Sequence, residues 1–550
     1  MIKKILLLSL VVVLSSFTST YAFQDGSISG NVSIEAQTYK QDSSIGAPKV
    51  DEQILSNAYL NLIYRTSNYE FGVRYENYLN PLLGYDSRLK GQGIAYRYGA
   101  YYSEFADVTV GNFYEQFGSG LIFRAYEERA LGFDNAVDGV RLKVRPTDGV
   151  EFTGLIGKQR LFWDMGSGIV RGGNVEANLN TLLGDVLSDD IGINLGASVV
   201  SRFQDDFDPK YKLPENVLTY STRLGIMLED LNFDAEYAYK YNDPNATNKF
   251  NYNAGSGLIL TGSYTASGIG LSVSTHWLDN MDFRSDRNAR ANELNINFIP
   301  PLTKQHTYAL TAMYPFATKP NGEFGLQSEL TFKLPANTAI GGEYGTTVNL
   351  SYSMIKSIDT VRKDQFEYES KFFGIGDRLY FQDMTLDLTR RFTDDFKLGL
   401  TLTSIIYDKD IMENEGAPVY GKVHSNVLIV DGTYNFNNEN AVRVELQHQW
   451  SKNDSTIVEP DNINGNWAHM LVEYTIAPKW FFTVYDQYNY GNDTEANRLH
   501  YASASVAYLH GASRLQLSYG RQRGGIICVG GICRAVPASN GIYFSFTSSF

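Results

Sequence analysis

The chain has 550 residues, a formal net charge of −14 and only two cysteines. The acidic balance argues against nucleic acid as a partner. Beyond the first 22 residues no apolar run approaches the roughly 18 residues a membrane helix needs, which excludes a helical membrane protein. Yet the sequence carries 38 Tyr, 31 Phe and 49 Gly, a composition that suits a transmembrane barrel with aromatic girdles and a polar lumen.

At the N-terminus, Lys3 and Lys4 precede an apolar run from Ile5 to Leu14, with Thr20 and Ala22 at the small-residue positions of a cleavage site. This predicts a secretory signal peptide over residues 1–22, cut after Ala22. A mature segment 23–550 of about 528 residues is then expected to form one domain. No cysteine lies near the cut, which argues against a lipoprotein anchor.

From there the dominant signal is period-two alternation. Tyr69, Phe71, Val73 and Tyr75 oppose Glu70, Arg74 and Glu76; Phe233, Ala235, Tyr237 and Tyr239 oppose Asp234, Glu236 and Lys240. Val442, Val444, Leu446, His448 and Trp450 oppose Arg443, Glu445, Gln447 and Gln449 in the same manner. One face suits lipid and the other water. Marking every such segment predicts 26 strands, with 24 as the alternative, the weakest lying near residues 138, 172, 293 and 306.

Connections alternate in length along most of the chain. Ser67-Asn68, Asp148-Gly149, Ala477-Pro478 and Gly511-Ala512 are tight turns, whereas Gln41 to Ser56, Phe117 to Val137, Asp279 to Asn292, Lys356 to Gly376 and Gly524 to Ser539 are long and polar. Short periplasmic turns alternating with long extracellular loops are expected of an outer-membrane barrel; a soluble β array has no reason to obey the rule.

The segment Gly111 to Arg145 is the richest in charge. Glu115, Arg124, Glu127, Glu128, Arg129, Asp134 and Asp138 lie in or beside the connection, and Arg141, Lys143 and Arg145 line the polar face of the strand that follows. With Leu121, Ile122 and Phe123 among them, two readings stand: a loop folded into the lumen that narrows the pore, or an external loop with solvated charges. Cys528 and Cys533, in CVGGIC, are expected to form a small disulfide ring in an oxidising compartment. Two thiolates alone are a poor metal site.

Nothing in the spacing of the seven histidines or the serines announces catalysis, so no catalytic, cofactor-binding or metal-ligating residue is assigned. Acidic clusters at Asp205-Asp206-Asp208, Asp408-Asp410-Glu413-Glu415 and Glu459-Asp461 fit solvated charge better than Ca²⁺, because none has EF-hand spacing.

The chain ends on GIYFSFTSSF, where Ile542, Phe544, Phe546 and Phe550 share one face. This stretch resembles the terminal assembly signal of outer-membrane barrels, in which a last strand ending in Phe is read by the insertion machinery. Over its mature length the chain resembles large outer-membrane barrels of Bacteroidota known as domains of unknown function, with Gly111 to Asp138 its most distinctive part. That resemblance implies outer-membrane lipid and the barrel-assembly machinery as partners, and no cofactor. Two functions follow as alternatives: a porin-like conduit for solutes or polymers, or a structural subunit of an outer-membrane assembly or secretion complex with a protein or lipoprotein partner.

Overall fold

The computed structural model describes residues 26–186, 188, 190–454, 463–529 and 532–550. The expected signal peptide with its cut after Ala22, and the acidic pair Glu459-Asp461, lie outside these residues.

Twenty-four strands form one closed antiparallel sheet. Each strand pairs with its neighbours in sequence, and the first, Ser27–Gln37, pairs with both Leu55–Arg65 and the last, Ser539–Ser549. At the seam Ile34 faces Phe546 and Gln37 faces Tyr543. Closure leaves neither edge of the wall unpaired.

The count is therefore the alternative of 24, not the preferred 26. The strands expected near 293 and 306 do not exist; between Ile269–Asp279 and Gly322–Leu334 the chain leaves the wall and enters the lumen. Pro300, Pro301, Pro315 and Pro320 fall in this stretch, and each lacks the N–H that a wall ladder requires.

Alternation sorts the two faces as the chemistry demands. Phe71, Val73, Leu195, Val199, Leu446, Trp450 and Leu517 lie exposed on the outside. Arg74, Glu76, Glu236, Lys240, Glu445 and Gln449 are buried toward the inside. Such an exterior is stable in hydrocarbon and costly in water, so the wall spans a membrane.

The link expected from Lys356 to Gly376 is mostly strand. Thr346–Arg362 and Tyr368–Arg391 form a long hairpin, and register shifts at Ile355, Lys356 and Ile358 let it bend. On its flanks the wall pairing stops at Lys356 and Phe381, so the rest of the hairpin runs beyond the barrel. It bends over the outer wall: the Phe372 ring packs 5.2 Å from that of Trp277, whose indole N–H donates to the Gly374 carbonyl at 3.2 Å.

At the same end, Asp410 fastens the link between Phe396–Asp408 and Lys422–Asn435. Burial raises its pKa, but N–H donation from Val419, Tyr420 and Gly421 at 2.8, 2.6 and 3.1 Å outweighs that and holds the carboxyl below the usual carboxylate range. A depressed native pKa gives stability that is present above the unfolded value and is lost as pH falls through the native one. Protease cleavage within 409–421 is therefore expected to rise as pH falls below the ordinary carboxylate range, and Asp410→Ala should give the same cleavage at neutral pH. Equal cleavage of both proteins at pH 7 would remove this role.

Candidate functional site

Among the described residues, three segments make up the main inward structure. The first is the hairpin between Ala106–Phe113 and Val137–Thr147, in which Glu115–Phe117 pairs with Phe123–Ala125. Its tip turns at Gly118 and Gly120, both left-handed with φ of 53° and 92°, which a side chain would strain. Phe117, Leu121, Ile122 and Phe123 are wholly buried against Val170, Val200, Val217 and Ala238 of the wall. The Ser119 N–H donates to Glu236 at 2.8 Å, so the hairpin crosses to a distant part of the barrel. The connection is thus packed on the buried face of the wall through these residues.

The second segment, 280–321, joins that hairpin and continues to the opposite wall. Arg124 N–H donates to the Ile296 carbonyl at 2.8 Å, and Phe298 N–H to that of Gly120 at 3.1 Å. The Asn297 amide donates to the carbonyls of Leu121 and Met281, which locks the two segments together. Past the prolines the chain is pinned at every second residue: Lys304 to Asp387, His306 to Asp383, and the Tyr308 hydroxyl to Asp431 at 3.3 Å. Leu310, Met313, Tyr314 and Phe316 then pack on Tyr407, Val423, Val427 and Trp467.

The third segment is a small hairpin, Gly525–Val529 with Ile532–Val536. Cys528 and Cys533 are disulfide-bonded across it, with Cα atoms 4.1 Å apart. Ile532 is buried against Leu131, Phe133 and Phe298, so this hairpin rests on the other two segments.

The charged residues singled out in the sequence fall into distinct groups. Glu127, Arg129 and Asp134 belong to a buried cluster with Arg74, Glu76 and Arg160. Arg74 contacts Glu76 at 2.7 Å and also Glu127 and Asp134; Arg160 reaches Glu76 at 2.7 Å and Asp134 at 2.6 Å; Arg129 reaches Glu127 at 2.8 Å. Three guanidinium groups thus face three carboxylates, and the cluster is formally neutral. Lower on the wall, Glu115 bridges Arg141 at 3.1 Å and Lys143 at 3.0 Å, while Arg145 contacts Asp107 and Glu151. Asp138 pairs with Arg97 at 3.2 Å. Glu128 accepts from the Ala130 N–H at the start of a 3₁₀ turn, a local role. Arg124 stacks on the rings of Tyr126 and Phe298 at 4.3 and 4.6 Å.

Arg160 is the member of the cluster that alternation conceals. Thr153, Leu155 and Gln159 face inward, which assigns Arg160 to lipid, but a register shift between Lys158 and Arg160 brings it inward as well. At the seam, Phe550 and Gly30 exchange backbone hydrogen bonds of 2.8 and 3.0 Å, and the Phe550 ring lies so close to Gly30 that a Cβ there would meet it at 2.7 Å. Phe546 and Phe544 pair across the seam with Ile34 and Ala36. Among the described residues no three His, Cys, Asp or Glu converge as metal ligands. The Asp205-Asp206-Asp208 cluster instead caps its own loop: Asp206 accepts from the Leu213 N–H and Asp208 from that of Tyr211.

The chain belongs to a family of unknown function (DUF6029), matched over residues 1–550. No curated protein matches it. Solved structures similar to it include the siderophore receptor PirA from Pseudomonas aeruginosa, at 11% identity and a TM-score of 0.40 over 95% of this chain and 80% of that one. Another is the translocation pore of the P pilus usher PapC, at 10% identity and 0.39 over 95% and 98%. A BenF-like porin from Pseudomonas fluorescens Pf-5 aligns at 7% identity and 0.33 over 96% and 98%.

Proposed function

We propose that this chain is a non-enzymatic integral outer-membrane barrel that works as a porin-like conduit, narrowed by its own inward segments. The observation that carries the reading is a polar inner wall holding those segments through ion pairs and hydrogen bonds, with Glu127 and Asp134 on Arg74, Asp134 on Arg160 and Glu115 on Arg141. Contacts of this kind can be exchanged for solvent or solute; a lumen filled only by apolar packing could not be wetted at comparable cost. The charges along Arg141, Lys143 and Arg145 would set selectivity. Planar-bilayer recording of the purified barrel tests this: small, ion-selective openings whose size changes on Arg129→Ala are expected. No conductance, together with stoichiometric co-purification of another barrel or a lipoprotein, would sink it.

The second reading, a structural subunit of an assembly or secretion complex, is favoured by the rim. Val361 on the projecting hairpin and Phe207 in the neighbouring loop are 64% and 87% exposed, apolar groups suited to a protein contact.

Delivery follows from the ends of the chain in this proposal. Cleavage after Ala22 releases the barrel outside the inner membrane, and Phe544, Phe546 and Phe550 present the closing strand to the insertion machinery. Deleting Phe550 should lower the inserted amount while leaving the conductance of inserted molecules unchanged. Normal surface levels of the truncated protein would contradict it.

A further inference from the structure

A cavity of about 340 Å³ lies between the wall and the three inward segments. Its lining carries five arginines, and four are matched by carboxylates: Arg74, Arg129 and Arg160 in the buried cluster, and Arg88 with Asp86 at 2.6 Å and with Glu293. Arg534 is the exception. It has no carboxylate in ion-pair range among the described residues, and its Nε and Nη1 atoms are buried without a hydrogen-bond partner there.

Its position is nonetheless fixed. The guanidinium lies 3.9 Å from the centre of the Tyr85 ring, and the Tyr85 hydroxyl is held by the carbonyls of Arg129 and Ala130 at 3.2 Å each. The preceding residue, Cys533, is tied by the disulfide, and its carbonyl accepts from Asn292 at 2.9 Å. A half-buried guanidinium that is stacked on an aromatic ring and lacks a carboxylate partner loses the hydration of two of its nitrogens and keeps its charge uncompensated. An oxyanion in the cavity supplies the counter-charge that Arg534 lacks, and a guanidinium is well suited to hold a carboxylate or phosphate group. Tyr59 and Tyr78 give the rest of the cavity an aromatic wall, the usual make-up of a site for a small organic ligand.

We propose that this cavity binds a small solute carrying a carboxylate or a phosphate group, with the anion on Arg534. The proposal concerns equilibrium binding and holds whether or not the barrel conducts.

Isothermal titration of the full-length barrel in detergent with glucuronate, glucose 6-phosphate and neutral glucose tests it. At least one of the two anions is expected to bind, with glucose at least about tenfold weaker; which anion does so identifies the group. Arg534→Gln should weaken the bound anion by about tenfold or more, and Arg534→Lys, which keeps the charge without the guanidinium, by less. An intact Cys528–Cys533 disulfide and unchanged heat-modifiable mobility establish that the variants are folded. Absence of binding by both anions, equal binding of glucose, or undiminished binding to folded Arg534→Gln would overturn the proposal.

Discussion

Excising residues 282–319 should raise the conductance of the barrel roughly tenfold or more, toward that of an open porin of large strand number. The wall tolerates the cut because its ends already meet. Asp279 pairs with Gly322 across the ladder, and the Met281 N–H donates to the Pro320 carbonyl at 2.8 Å. A short turn can therefore join the two strands without altering register. What is lost lies inside: the Asn297 lock on the first hairpin, the pins at Lys304, His306 and Tyr308, and the cover over Tyr407, Val423, Val427 and Trp467. Those wall residues would then face water, which destabilises the variant but leaves the sheet's backbone hydrogen bonds in place. Single-channel recording of wild type and variant decides the matter. Equal conductance would mean that segment 280–321 does not obstruct the path. The milder Asn297→Ala, which frees the hairpin without removing chain, should give intermittent larger openings in the same recording.

The fold was legible because a membrane wall writes its two faces directly into the sequence. Leu446 and Trp450 against Glu445 and Gln449 need no tertiary information to be sorted. The excess of two strands has an equally local origin. Glu293-Leu294-Asn295-Ile296-Asn297-Phe298 alternates as well as any wall strand. Its apolar side is buried, with Ile296 wholly enclosed, but it faces the inward hairpin rather than lipid. Alternation reports an extended chain with one apolar neighbour and does not say which neighbour. The projecting hairpin from Thr346 to Arg391 was obscured for a related reason: bulges at Ile355 to Ile358 break the period that marks a strand.

The site was legible in part. Charges among glycines, with Leu121, Ile122 and Phe123 between them, marked 111–145 as unusual, and the apolar residues proved to be what plants the hairpin in the lumen. Which charge meets which could not be read. Arg74 and Asp134 are 60 residues apart, Arg160 and Glu76 are 84 apart, and Arg160 points inward only through a bulge. Local sequence holds no trace of such pairings, because barrel closure creates them.

The second large effect is expected at Arg74. Its guanidinium, 3% exposed, contacts three carboxylates, Glu76, Glu127 and Asp134, while the ring of Tyr96 lies 5.0 Å away. Arg74→Ala leaves Arg160 and Arg129 to balance the three acids, so one buried negative charge loses its counter-charge. Removing one partner of a buried ion pair typically costs about 3–5 kcal/mol, far more than the pair contributes relative to an apolar substitute. Glu127 and Asp134 belong to the inward hairpin and Glu76 to the wall, so the strain falls on the joint between them. The hairpin should detach before the wall unfolds. Urea titration in detergent, followed through Trp163 in the adjacent aromatic cluster, should show an added early transition in the variant. Pairing the change with Asp134→Asn removes the excess charge and should recover much of the loss, which distinguishes electrostatics from lost packing. A single transition within about 1 kcal/mol of wild type would show that the cluster is hydrated rather than buried, and with that the ion-paired anchoring of the hairpin would fail.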